Sequence, residues 1–95
     1  MKYAVGKWLH NNPDEPVLII SELDDEQWET RKVEIWANGK KGFADALHEV
    51  GGTALGLEPW PDFNEINTDP QFKVELISKD DFERHWDERL SLEGA

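Results

Sequence analysis

The chain contains no cysteine. That excludes disulfides, thiolate zinc centres and thiol nucleophiles together. Positive charge is scarce as well: 10 Lys and Arg stand against 21 Asp and Glu, a formal net charge of −11. Binding to a phosphate backbone relies on Lys and Arg displacing counterions, so this balance disfavours nucleic acid and, for the same reason, anionic membrane surfaces. No segment approaches the roughly 18 apolar residues of a membrane-spanning helix. Nor does any N-terminal apolar run have the form of a signal peptide, so a soluble cytoplasmic protein is expected. Internal repeats, low-complexity tracts and linkers are also missing.

What is present is enough for a fold. Ninety-five residues make one domain, residues 1–95, which buries roughly 60–65% of its unfolded surface. Apolar residues are only 38% of the chain, but five Trp and four Phe supply bulky core material and argue against disorder.

Residues Tyr3–His10 read as a first strand, with Tyr3, Val5, Lys7 and Leu9 on one face and Ala4, Gly6 and Trp8 on the other. The cluster from Asn11 to Pro16 is a turn, and Val17–Leu23 a second strand. Asn38-Gly39 predicts a two-residue type I′ hairpin turn within Arg31–Asp45. That register sets Ile35 opposite Gly42 and Val33 opposite Ala44, with Trp36 and Phe43 on the far face.

Between Ala46 and Phe72 the pattern is irregular, with Gly51-Gly52 and Gly56 predicting tight turns rather than a phosphate loop. Asp62 followed by Glu65 has the spacing of a helix cap, so a short helix is expected over Phe63–Asn67. Phe72–Ile77 alternates as another strand. Ser78 then caps a final helix whose core stripe is Phe82, Trp86 and Leu90. The fold class expected is α+β: an antiparallel sheet of four to five strands, the C-terminal helix on one face, and one short helix in 46–72.

Catalytic motifs are weak. His10, His48 and His85 lie far apart with no ligand spacing between them. His10 near Asp14 and Glu15 could serve as a base or a metal ligand, but a lone histidine there reads first as a surface residue beside a turn. His48 has no evident partner, and a local contact with Asp81 accounts for His85. Ser21, Ser78 and Ser91 lack a nucleophile elbow. No metal or cofactor is expected.

The stronger signal is SELDDEQWE, Ser21–Glu29, with five carboxylates and no Lys or Arg. From Trp8 through Thr30 there are seven acids without a Lys or Arg, and from Gly42 through Phe72 six more. Such runs usually face solvent. If the two tracts adjoin, they form an anionic surface with aromatic anchors, suited to a cationic protein. The candidate contacts are Asp24, Asp25, Glu26 and Glu29 as steering charges, Trp28 and Trp60 as anchors, and Asp62 and Glu65 at the rim. Trp60 between two prolines reads first as a plug at the core edge, with the anchor role as the alternative.

The pieces NPDEPV, SELDDE, RKVEI, NGKKGFA, GGTALG, PDFNEINTDPQF and SKDDFE occur in this order across nearly the whole chain. In this it resembles a family of small bacterial proteins described as a domain of unknown function. The resemblance implies no activity, cofactor or catalytic residue; by type, such small acidic proteins are similar to immunity proteins. The function expected is therefore an immunity-like inhibitor that neutralises a cognate toxin with a basic surface, the free chain being a monomer or weak homodimer. The alternatives are a small hydrolase with a carboxylate or His10 in a cleft, and a plain interaction module pairing through a sheet edge.

Overall fold

The structure is a computed structural model that describes residues 1–89. Its sheet is entirely antiparallel, with strands β1 (Lys2–Trp8), β2 (Leu18–Leu23), β3 (Glu29–Ile35), β4 (Lys41–Ala44), β5 (Glu49–Val50) and β6 (Phe72–Leu76). Two helices accompany it, α1 (Phe63–Ile66) and α2 (Lys79–Asp87). The architecture is α+β as expected. A sixth strand arises because the two residues of β5 fold back onto β4.

The strand order is β5-β4-β3-β2-β1-β6. The first five strands form a meander, after which the chain crosses from one sheet edge to the other and adds β6 beside β1. The crossing segment, 51–71, thereby covers the face opposite α2.

On the α2 face, Ile20, Val33, Phe43 and Phe82 form the core, with Tyr3, Val5, Ile35, Ile77 and Trp86 packed around them. Period-two alternation delivers the strand residues to this face, and the helical repeat delivers Phe82 and Trp86. Ser78 caps α2 as expected, its hydroxyl accepting from the Asp81 amide at 3.0 Å. Leu90 of the expected stripe lies outside the described residues.

The hairpin differs from its predicted form. Val33 pairs with Phe43 and Ile35 with Lys41, one residue out of the expected register. Gly39 is at φ +88° whereas Asn38 keeps a negative φ, and the Trp36 amide donates to Lys40 O at 2.9 Å. This is a three-residue loop ending in a left-handed glycine, not a two-residue type I′ turn. Asn38 Oδ1 holds it by accepting from the Lys40 amide. A one-residue slip exchanges the faces, so Phe43 joins Val33 in the α2 core and Ala44 goes to the opposite side.

Among the described residues, no helix is long and apolar enough to cross a membrane.

Candidate functional site

The acidic turn between β2 and β3 is built on Asp24. Its Oδ1 accepts from the amides of Glu26 (2.9 Å) and Trp28 (3.0 Å), and its carbonyl from the Gln27 amide. Aspartate suits this because its short side chain reaches backbone amides just ahead of it. Asp24 is thus a turn-former more than a steering charge. Asp25 projects fully into solvent, 3.9 Å from the N-terminal amine, and Glu26 is exposed. Trp28 is 39% exposed.

Gln27 occupies the left-handed region at φ +72°, the one described non-glycine residue to do so. That conformation costs about 1–2 kcal/mol. It lets Gln27 join the two acidic tracts: its carbonyl accepts from the Trp60 amide at 2.8 Å, and its side-chain amide donates to Pro61 O at 3.3 Å. Lys2 Nζ donates to its Oε1 at 2.7 Å. Beyond Pro61, Asp62 caps α1 by accepting from the Asn64 amide at 2.8 Å, and Glu65 is exposed. The tracts therefore meet, with Asp25, Glu26, Trp28, Asp62 and Glu65 all accessible.

Two expected contact residues lie elsewhere. Glu29 is not a steering charge; its side chain is 3% exposed. One oxygen accepts from Lys32 Nζ (3.1 Å) and the Gly56 amide (2.5 Å), the other from Ser21 Oγ (3.2 Å) and the Trp60 indole N–H (2.9 Å). Trp60 is correspondingly a half-buried wall, not a free anchor, with its ring 6.1 Å from Phe63. A buried carboxylate is tolerated only when its lone pairs are met, and here each oxygen meets two donors.

Glu29 and Trp60 belong to a cleft of about 310 Å³ on the face opposite α2. Gly6 and Ile19 form its floor, and Trp60, Ile66 and Phe72 its apolar walls. Lys32 shares the polar end with Glu29. Sequence reasoning missed Lys32 and Gly6; the signal available was a glycine inside a strand, which often marks a close approach.

His10 and His48 are engaged locally, whereas the contact expected between His85 and Asp81 is not among the hydrogen bonds of the described residues. His10 Nε2 lies 2.8 Å from Pro16 O, and its Nδ1 accepts from the Asn12 amide. His48 has a partner after all, Asp45 at 2.9 Å, and the amide of Leu47 together with that imidazole holds the Asp45 carboxyl below its usual range. Asp81 pairs with Arg84. Among the described residues no group of three or more His, Asp or Glu is arranged to hold a metal.

Residues 2–91 match the family described as Domain of unknown function (DUF6881). The chain belongs to that family. No curated protein and no solved structure matches it.

Proposed function

We propose that this member of the family is an immunity-type inhibitor that binds a cationic toxin protein in the cytoplasm. The observation that carries the reading is the hydrogen bond from the Trp60 amide to Gln27 O, which brings the two acidic tracts into one face. On that face Asp25, Glu26, Asp62 and Glu65 steer the encounter, and Trp28 is the apolar anchor. Carboxylates that outnumber the positive groups beside them, here Lys2 and the N-terminal amine, raise the association rate with a basic surface, while a desolvated tryptophan slows dissociation. Asp24, Glu29 and Trp60 act from behind, as supports for the face. The hydrolase reading has less support, because the carboxylate in the cleft is already engaged by four donors of the protein itself.

The test is capture of the partner from the native host, followed by affinity measurement with purified proteins and co-expression for growth rescue. The expected partner is a basic toxin domain. Replacing Asp25 and Glu26 by Lys should weaken binding about tenfold or more, equivalent to about 1.4 kcal/mol. The loss should shrink as salt rises from about 50 to about 300 mM, as the Debye length shortens. Binding indifferent to both charge reversal and salt would reject this face.

A further inference from the structure

The cleft under Trp60 has features that neither folding nor the acidic face requires. Gly6 lies in the middle of β1, paired with Ile19 on one side and Val74 on the other. Its φ is not positive, and a Cβ there would meet only Ile19 O and Val74 Cγ2, both at an ordinary 3.8 Å. The backbone therefore has no need of glycine, although glycine weakens a strand by its larger loss of conformational freedom. Gly42 shows the contrast: a Cβ there would collide with Thr53 Oγ1 and lie 2.9 Å from Val50 O. What the missing side chain of Gly6 does is keep the cleft floor open. The volume of about 310 Å³ lies at the lower end of small-molecule sites.

The polar end defines what fits. The Lys32 side chain is 11% exposed, and its ammonium carries three N–H groups, of which one reaches Glu29 among the described residues. An acceptor atom entering the cleft meets those remaining donors. A cation meets the ammonium and finds Glu29 already saturated. An anion meets the Glu29 carboxylate beside the same ammonium, within a chain of net charge −11. An uncharged acceptor has neither conflict. The walls of Trp60 and Phe72 favour a flat ring between them.

We propose that this cleft binds a small uncharged molecule with a flat ring system and one carbonyl-type oxygen, the ring between Trp60 and Phe72 above the Gly6 floor and the oxygen accepting from Lys32. This rests on the cleft alone and is independent of the toxin reading.

The probe is 1-indanone, titrated into the 15N-labelled full chain and followed by NMR. Three compounds of the same skeleton serve as comparators: indane, 1-aminoindane and indane-1-carboxylate. Saturable shifts are expected at the Trp60 indole N–H and the Gly56 amide, with a Kd in the millimolar range suited to about ten non-hydrogen atoms. At equal concentration, indane and both charged analogues should shift these signals at least fivefold less. Gly6→Val fills the floor, and Ile66→Trp fills the opposite wall; each should abolish the shifts while the remaining spectrum reports a folded chain. Absence of saturable shifts at Gly56 and Trp60 would overturn the proposal. So would equal binding of the charged analogues, or binding that survives whichever of the two filled variants folds.

Discussion

Glu29 sits among four other carboxylates in SELDDEQWE, and nothing in its own chemistry separates it from them. Its burial is decided by donors 8, 27 and 31 residues away, at Ser21, Gly56 and Trp60. A local reading sees the acid but not the donors, which is why Asp25 and Glu26 were legible as surface charges and Glu29 was not. Removing it leaves Lys32 unpaired in a nearly dry site, so Glu29→Ala should lower unfolding free energy by about 3–5 kcal/mol in urea denaturation. Replacing Glu29 by Leu and Lys32 by Met together should return only part of that loss: no lone charge then stays buried, but Ser21, Gly56 and Trp60 still lack their acceptor. Titration offers a second check. Arg31 bonds to Glu22 at 2.6 Å and holds its carboxyl below the ordinary 4.5. Burial, and after it the Arg84 charge, pushes the His85 imidazole below its ordinary 6.5. Both groups keep their protons less readily when folded, so their contributions are complete above the unfolded values and lost as pH falls through the folded ones. Stability should therefore decline below about 6.5 through His85, and again below about 4.5 through Glu22. His85→Gln should remove the first decline, and Arg31→Met should flatten the second, both read as urea midpoint against pH.

Elements whose signals are local came through intact. The Ser78 cap and the Phe82/Trp86 spacing placed α2, and Asp62 placed α1. The hairpin was found but its register slipped by one, because Asn38-Gly39 suits both a two-residue turn and the three-residue loop that forms. What tips the choice is non-local: only the observed register turns Phe43 towards Phe82 and Trp86. The β6 edge was beyond sequence reasoning. Asn67 Nδ2 donates to Val74 O at 3.1 Å while its Oδ1 accepts from the Val74 amide at 2.7 Å, so one side chain imitates a neighbouring strand. At the other edge, β5 is two residues long and begins with Glu49. Short, charged or covered edges deter sheet-to-sheet pairing, which weighs against the interaction module built on a sheet edge. Asn67→Ala should expose the Val74 backbone groups and increase concentration-dependent association over that of the parent chain, measured by light scattering.

The whole molecule is a sheet with a helix on one side and an irregular strap on the other. Alternation and capping disclosed the fold class, but not that β6 returns beside β1, since that pairing spans most of the chain. That return draws 51–71 across the sheet and so creates both the cleft and the meeting of the acidic tracts. A net charge of −11 repels itself in the folded state. Added NaCl should raise Tm, a gain of about 1 kcal/mol reading as about 4–8 °C in a calorimeter. The placement of Trp28 also makes the chain its own electrometer. At 39% exposed, it is the most open tryptophan of the molecule, beside Asp25 and Glu26, whereas Trp36 is 9% exposed. Fluorescence quenchers of opposite sign should therefore differ in reach: caesium ions gather at the turn and dim Trp28, while iodide is held away, with no partner protein in the cuvette.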